Sequence, residues 1–439
     1  MAKKAASVSH LQLIKNPIQG GAAAAENLHR SAGSLRFLTR QPILDAGYRL
    51  IGYEFGVHNN VPVPAVPGAE NLQQMRDEWL LASVRTSGLQ QALGDRYLSF
   101  LTVEAATLGK LPLQQLPASM VLVPRDLAAL SEAGRNRLLD LASLGVRLAL
   151  NDSDSEAAAK LPAALWRYVR IDVNQSDALG LAQRYDRARA QYPAARIVAT
   201  AVDTDEAFRV CKKSGFQLFQ GYHLSQLQPA TAHRLHGSRV RIMELLNEVM
   251  VGAEIAAVEA KFKTDAGLSY KLLRYLNSPA LMLNQPIQSI GHALMYLGHE
   301  QLYRWLTLLL FAGGEADARS LALLRNAVVR ARFVENLGQG QIQLAQRGSL
   351  FIVGMLSLLH ALLNLPMAKA IDGLSLPQEV ADGLLHGRGP FAAYLQLAEA
   401  CESFDQNAVQ AYAEAIGRSA EEVNLAHVEA LIWAEELLA

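Results

Sequence analysis

The sequence contains an acidic turn directly after a short apolar run. VRLALN (146–151) is typical of a buried strand, and Asp152 and Asp154 follow it beside the neutral Asn151. Carboxylates at the end of a strand are ligands that a divalent cation prefers, so the stretch predicts a cation centre or the remains of one. In DSDSEAAAKL the same residues could instead cap the helix that follows, and that interpretation needs no ligand.

The composition indicates a globular protein of about two or three domains, since 439 residues exceed one ordinary core. Hydrophobic residues make up 51% of the chain and charged residues 19%. The 41 basic and 41 acidic side chains give a formal net charge of zero. No global field therefore draws the protein to nucleic acid or to an anionic membrane, and neither partner is expected.

The cysteine usage and the apolar windows favour a cytoplasmic protein. Cys211 and Cys401 form no CxxC pair, which argues against a zinc or redox site and suits a reducing compartment. The most apolar window, residues 306–314, is far shorter than the ~20 residues that a membrane-spanning helix needs. Residues 1–36 lack the apolar region of a secretory signal and are interpreted as a flexible basic tail.

The first half predicts an α/β barrel over residues 37–233. Eight β-rich runs alternate with amphipathic helical segments, which indicates parallel strands joined by crossover helices. The first two runs flank a short turn at residues 45–47, so a hairpin and one antiparallel strand are expected. The runs are FLTRQPI, YRLIGYEF, RYLSFLTV, SMVLV, VRLALN, RYVRIDV, ARIVATAV and FQLFQGY.

The second half predicts an all-helical domain over residues 234–439. From Ser238 onward the apolar residues recur at helical spacing, as in YKLLRYL, LYRWLTLLLF and VEALIWAEELL. The sequence Asn277-Ser278-Pro279 is expected to end one helix, and Ser289 is expected to cap the next.

The landmarks of the first half resemble those of the EAL domain, a barrel whose active members hydrolyse cyclic di-GMP with two divalent cations. The similarity covers residues 37–229 and keeps the family order. The landmarks are QPI at 41–43, GYEFGVH at 52–58 in place of ExLxR, LALND at 148–152, YVRID at 168–172, VATAVDT at 198–204 and GFQLFQGYHLSQLQP at 215–229.

The resemblance implies a depleted ligand set. Glu54, Asp152, Asp172 and Gln220 match family positions, whereas other positions carry different residues. The replacements are Gly56 for leucine, His58 for the phosphate-binding arginine, Phe100 for asparagine, Leu122 or a neighbour for glutamate, Asn151 for aspartate, Arg170 for lysine, Thr200 for glutamate and Asp203 for the second glutamate. His58 is interpreted as a loop residue.

Two adjacent divalent cations need several carboxylates to offset their repulsion, so two-metal hydrolysis, a metal or another cofactor is not expected. One weakly held cation at Glu54 and Asp152 is the most that these positions suggest. A buried hydrogen-bonding role is the favoured interpretation of Glu54, Asp172 and Gln220. The vestigial ligand-binding residues predicted from the sequence are Gln41, Glu54, Asp152, Arg170, Asp172, Asp203 and Gln220.

The helical half resembles the HDOD domain, a non-catalytic relative of HD phosphohydrolases in bacterial signalling proteins. The similarity is clearest at residues 265–298 and 351–367. No histidine is followed by aspartate, and Ala361 follows His360, so the metal-binding doublet of HD enzymes is absent. His292 and His360 are interpreted as helix residues.

Together the two resemblances predict a catalytically inactive bacterial signalling adaptor that acts through protein–protein interactions. The expected partners are other signalling proteins, and a homo-oligomer is possible. The alternative is a sensor that binds cyclic di-GMP without hydrolysing it, or a phosphodiesterase with weak residual activity. In the sensor, Arg170 would make a bidentate contact to phosphate.

Overall fold

The structure is a computed structural model that describes most of the chain. It covers residues 36–59, 93–108, 116–228, 237–277, 287–312 and 317–438, with positions 74, 77–81, 84 and 89. The predicted basic tail and most of the proline-rich stretch 59–70 lie outside these residues.

The first half forms a closed barrel of eight strands. Strand β1 is antiparallel to both of its neighbours, β2 and β8, and the remaining neighbours are parallel. The predicted barrel, its eight runs and its single antiparallel strand are confirmed. The strands are β1 (Arg36–Asp45), β2 (Leu50–Asn59), β3 (Leu98–Glu104), β4 (Met120–Arg125), β5 (Arg147–Asn151), β6 (Trp166–Asp172), β7 (Arg196–Thr200) and β8 (Leu218–Gln220).

The predicted hairpin between β1 and β2 is confirmed, and Asp45 organises it. The Asp45 side chain accepts hydrogen bonds from the amides of Gly47 at 2.8 Å and Arg49 at 2.9 Å. The Asp45 carbonyl accepts from the Tyr48 amide at 2.9 Å. An aspartate that satisfies the amides two and four residues ahead stabilises this turn.

The helices of the first half connect the parallel strands. Several begin at polar residues that cap them, and Asp177 for example accepts from the Gly180 amide at 2.8 Å. Leu181 and Ala188 of that helix are buried, so one apolar stripe faces the barrel. The helices are α1 (Ala105–Leu108), α2 (Glu132–Ser143), α3 (Ser155–Ala158), α4 (Ala178–Gln191) and α5 (Asp205–Ser214).

The interior of the barrel is filled by apolar side chains. Phe100 is fully buried there, with its ring 5.1 Å from that of Tyr168. Side chains alternate along a strand, so the next inward positions toward the carboxyl ends of the parallel strands line the mouth of the barrel. The interior cluster consists of Ile43, Leu98, Phe100, Val121, Val123, Ala149, Tyr168, Val198 and Leu218.

The second half is helical among its described residues. Asn277 caps the carboxyl end of α8 and Ser289 accepts from the His292 amide at 3.2 Å, so both predicted boundaries are confirmed. Gly298 has a φ of 67° and kinks α9. The helices are α6 (Gly237–Met250), α7 (Ile255–Lys263), α8 (Ala266–Leu276), α9 (Ile290–Ala312), α10 (Ala318–Leu337), α11 (Leu344–Leu356), α12 (Leu359–Leu363), α13 (Met367–Ile371), α14 (Gln378–His386), α15 (Ala392–Ser403), α16 (Gln406–Ala415) and α17 (Ala420–Leu438).

The described residues divide into two compact units. One contains the barrel through residue 228 together with Gln396–Ile432, and the other contains residues 237–395 and 433–438. The sequence places the whole of 234–439 in the helical domain, and those limits stay a prediction. The structure adds that residues 396–432 pack with the barrel. Among the described residues, every helix is too short or too polar to cross a bilayer.

The first part of β1 is bonded by side chains of α17. β8 pairs only with Ile43–Asp45, so the outer edge of the preceding residues faces no strand among those described. The amide of Leu38 donates to Oδ1 of Asn424 at 2.7 Å, and its carbonyl lies 3.1 Å from Nδ1 of His427. Asn424 and His427 are three residues apart on one helical face. Together they bond the amide and the carbonyl of Leu38, as a neighbouring strand would.

His427 is held in its neutral form at this edge. Its Nε2 accepts from Nε of Arg40 at 3.2 Å, so Nδ1 must carry the proton that is donated to Leu38. Burial, together with the nearby Arg40 charge, lowers the pKa of His427 to about 3.

This lowered pKa predicts a loss of stability in mild acid. The unfolded histidine has a pKa of 6.5, so between pH 6.5 and about pH 3 the unfolded chain binds the extra proton and the folded chain does not. The stabilisation is complete above pH 6.5 and falls as the pH is lowered. Between pH 6 and pH 5, wild type should lose about 1 kcal/mol more unfolding free energy than His427→Gln in urea titrations. Identical pH dependence in the two proteins would contradict this.

Candidate functional site

The mouth of the barrel holds a hydrogen-bonded cluster of five side chains, which we call the mouth cluster. They lie on β1, β2, β3, β6 and β8. Gln41 is opposite Glu54 in the β1–β2 register, and Gln220 is opposite Ile43 in the β1–β8 register. The cluster consists of Gln41, Glu54, Thr102, Arg170 and Gln220.

The centre of the mouth cluster is an ion pair between Arg170 and Glu54. Nη2 of Arg170 donates to Oε2 of Glu54 at 2.6 Å, and both residues are more than nine-tenths buried. Thr102 donates its hydroxyl to Oε1 of Glu54 at 2.9 Å and accepts from Nη1 of Arg170 at 3.3 Å. The guanidinium therefore neutralises Glu54 and occupies the space beside it.

Gln220 and Gln41 complete the cluster. Oε1 of Gln220 accepts from Nη2 of Arg170 at 3.1 Å. Nε2 of Gln220 donates to Oε1 of Gln41 at 2.9 Å and also to Oε2 of Glu54. Both carboxylate oxygens of Glu54 thus already accept hydrogen bonds from protein groups. The planar guanidinium of Arg170 is held in one orientation by its bonds to Glu54 and Gln220.

Asp152 lies in a separate ion pair. Nε of Arg184 on α4 donates to Oδ2 of Asp152 at 2.7 Å, and Nη1 donates to the Asp172 carbonyl at 2.9 Å. The capping interpretation is wrong, since the helical turns that begin at Asp152 and Ser155 have no side-chain cap hydrogen bond. Burial raises the pKa of the neighbouring Asp154.

Asp172 and Asp203 stabilise the loops that follow their strands. Oδ1 of Asp172 accepts from the Asn174 amide at 2.9 Å, and Oδ1 of Asp203 accepts from the Tyr222 amide at 2.9 Å. The structure therefore brings Gln41, Glu54, Arg170 and Gln220 together, and gives the three aspartates separate partners.

The remaining family positions add no anionic oxygen to the mouth cluster. Phe100 is part of the apolar interior, and Leu122 lies between the interior residues Val121 and Val123. The backbone of His58 lies within β2 opposite Phe37, so its interpretation as a loop residue is wrong; its side chain lies outside the described residues. Among the described residues, His, Cys, Asp and Glu form no group of three or more that could hold a metal ion.

Thr102 and Arg184 are functional neighbours that the sequence analysis missed. Thr102 is two residues after Phe100, so strand alternation places both on the inner face of β3. Arg184 falls between Leu181 and Ala188 on the buried side of α4. An arginine within an apolar helical stripe signals a buried anionic partner, and this signal could have identified the pairing with Asp152.

Comparisons with known proteins identify the helical half. Residues 234–372 match the model of the HDOD domain. The helical half carries an HDOD domain. His360 of this domain lies in α12, with Nδ1 3.0 Å from the Ser357 carbonyl, as expected for a structural helix residue.

Two relatives are similar over nearly the whole chain. YuxH of Bacillus subtilis (strain 168) is 26% identical over 92% of this chain and 98% of its own length. The cyclic di-GMP phosphodiesterase CdgJ of Vibrio cholerae is 27% identical over 91% of this chain and 93% of its own length. An EAL domain protein of Listeria monocytogenes aligns with 46% of this chain and 90% of its own, at 17% identity and a TM-score of 0.34. The predicted eight-stranded barrel followed by a helical half with an HDOD domain is confirmed.

Proposed function

We propose that this protein is a catalytically inactive member of a cyclic di-GMP signalling system that acts as an adaptor for other signalling proteins. Its similarity to CdgJ over almost the full length supports the place in cyclic di-GMP signalling. The observation that carries the inactive assignment is the Arg170–Glu54 pair at the mouth of the barrel.

The side chains at the mouth do not fit two divalent cations. A pair of such ions about 4 Å apart requires several carboxylates. Glu54 is the one carboxylate of the mouth cluster, and its charge is neutralised by Arg170 at 2.6 Å. Asp152 is paired with Arg184. A metal would have to displace a guanidinium from each carboxylate, so no catalytic step is assigned to this barrel.

The adaptor role is supported by apolar side chains exposed on the HDOD domain. Val251, Tyr270 and Met295 are each more than three-fifths exposed. Exposed aromatic residues and methionine are frequent in protein–protein interfaces. The carboxylates Glu54 and Asp152 at the mouth of the barrel are paired with arginines of the same chain. Together with the exposed apolar side chains, this favours a function through protein binding.

A hydrolysis assay tests the inactive assignment. The purified full-length protein is incubated with cyclic di-GMP and Mg²⁺ or Mn²⁺, and linear dinucleotide products are followed by chromatography. We expect no turnover above that of Glu54→Ala, because Glu54 is not available as a ligand. Turnover by wild type that Glu54→Ala abolishes and the surface variant Glu156→Ala retains would overturn the proposal.

Calorimetry separates the adaptor from the sensor. Nε of Arg170 is buried without a hydrogen-bond partner among the described residues, and this free donor is the observation that favours phosphate binding. For the adaptor we expect no heat when cyclic di-GMP is titrated to well above micromolar concentration. Binding that is lost in Arg170→Met would replace the adaptor with the sensor.

A further inference from the structure

A turn between α15 and α16 reaches the mouth of the barrel. Phe404 in this turn has a φ of 58°, which lies in the left-handed region that residues other than glycine rarely adopt. A Cβ atom added to Gly56 would lie 2.7 Å from Cε1 of the Phe404 ring and 3.0 Å from Oγ1 of Thr39. The ring is therefore packed directly against the backbone of β2.

The position of Gly56 places this contact on the inner side of the mouth. Glu54 points into the barrel, so Gly56, two residues further toward the carboxyl end of β2, faces the same side. Gly56 is opposite Thr39 in the β1–β2 register, and the Thr39 hydroxyl donates to the Gly56 carbonyl at 3.2 Å. The Phe404 ring thus lies one inward position above the mouth cluster.

The end of α15, directly before this turn, is bonded to the mouth cluster itself. Nε2 of Gln41 donates to the Glu402 carbonyl at 3.4 Å, while Oε1 of Gln41 accepts from Gln220. The Glu402 side chain lies on the other side of β1, where it pairs with Arg40 at 3.7 Å. Two adjacent residues of β1 therefore hold Glu402.

The turn is anchored by the bonds between β1 and α17. Arg40 is almost completely buried and donates to Nε2 of His427. Asn424 and His427 bond the backbone of Leu38. These contacts help to hold residues 396–432 against the barrel and Phe404 in place.

We propose that residues 402–404 form an internal lid, which closes the β1–β2 side of the barrel mouth and opens when residues 396–432 move away from β1. The lid replaces a side chain of β2 at Gly56 with a ring supplied from a distant part of the chain. Access to the mouth cluster then depends on the anchoring contacts of α17. The proposal of a lid does not depend on whether the barrel hydrolyses or binds cyclic di-GMP, and so it goes beyond the proposed adaptor function.

The two native cysteines report on opening of this lid in the full-length protein. Cys401 is fully buried beside the lid, and Cys211 is fully buried on α5. Burial raises the pKa of both thiols, that of Cys211 to about 11, so each reacts only when it becomes exposed. Local opening of the lid exposes Cys401 alone, whereas global unfolding exposes both.

The test is site-resolved alkylation measured by mass spectrometry. We expect Phe404→Ala to raise the ratio of the Cys401 alkylation rate to the Cys211 alkylation rate by about tenfold. The reason is that the lid loses the packing of the Phe404 ring against Gly56. Gly56→Leu should raise the same ratio, since its side chain requires the space of the ring. Ser403→Ala is the matched control, because among the described residues the exposed Ser403 hydroxyl bonds only within its own helix, to Ala400 at 3.2 Å.

An unchanged ratio in Phe404→Ala would overturn the lid, and so would an equal acceleration at both cysteines. A rise of the same size in Ser403→Ala would also overturn it, because the effect would then not depend on the ring. The ratio corrects for any loss of global stability in Gly56→Leu.

Discussion

Arg170→Met is expected to lower the free energy of unfolding of the barrel by ~3–5 kcal/mol. The substitution keeps most of the side-chain volume but removes the cation that faces Glu54 at 2.6 Å. Glu54 is buried, and its remaining partners, Thr102 and Gln220, are neutral. An uncompensated carboxylate in this environment destabilises the folded state more than the ion pair stabilised it. Urea unfolding followed by circular dichroism measures the change.

Two variants distinguish this mechanism from a general effect of losing arginine. Arg170→Met combined with Glu54→Gln should recover a large part of the stability, because the buried charge is removed. Arg49→Met breaks an ion pair whose arginine is four-fifths exposed, and it should cost less than ~1 kcal/mol. A cost for Arg170→Met as small as that for Arg49→Met would show that Glu54 is not held by the pair.

Glu335→Gln should destabilise the helical unit by a similar ~3–5 kcal/mol. The Glu335 carboxylate accepts from Arg304 at 2.6 Å and from Arg332 at 2.8 Å, and all three residues are buried. The Arg304 guanidinium also lies 4.6 Å from the centre of the Phe351 ring. Removing the one carboxylate that faces both arginines leaves two buried cations that repel each other. Urea unfolding followed by fluorescence of the buried Trp305 and Trp433, in a background in which Trp79 and Trp166 are replaced by Phe, reports on this unit.

Glu300→Gln is the matched control for this prediction. Glu300 also bonds Arg304, at 3.1 Å, but its side chain is about two-thirds exposed. Water can replace that partner, so the cost should stay below ~1 kcal/mol. Equal losses in the two variants would mean that burial of the carboxylate does not set the effect.

The sequence predicted the barrel well because its signals are local. Each strand is a short β-rich run, and the turn at Asp45 reveals the hairpin within a few residues. Strand alternation and the carboxyl-end rule also place Glu54, Arg170 and Gln220 at one end of the barrel. These two rules predict that the three residues converge. They do not predict that Arg170 pairs with Glu54, because that contact is visible only in the three-dimensional structure.

The contacts that the sequence did not predict join distant positions. Leu38 and Asn424 are 386 residues apart, and no local pattern indicates that a C-terminal helix bonds the first strand. The same holds for Phe404 and Gly56. Asp152 illustrates a different difficulty, because an acid after a strand is equally suited to a cation, a cap or an ion pair. In the structure Asp152 forms an ion pair, because Arg184 lies beside it although it is thirty-two residues further along the chain.

The packing of Phe404 against Gly56 has a consequence for the evolution of related sequences. A branched or long side chain at position 56 and an aromatic ring at position 404 require the same space, so the two positions cannot vary independently. Homologues with a bulky residue at the first position are expected to carry a small one at the second. This correlated pair would allow barrels with an obstructed entrance to be distinguished from open ones in sequence alignments alone.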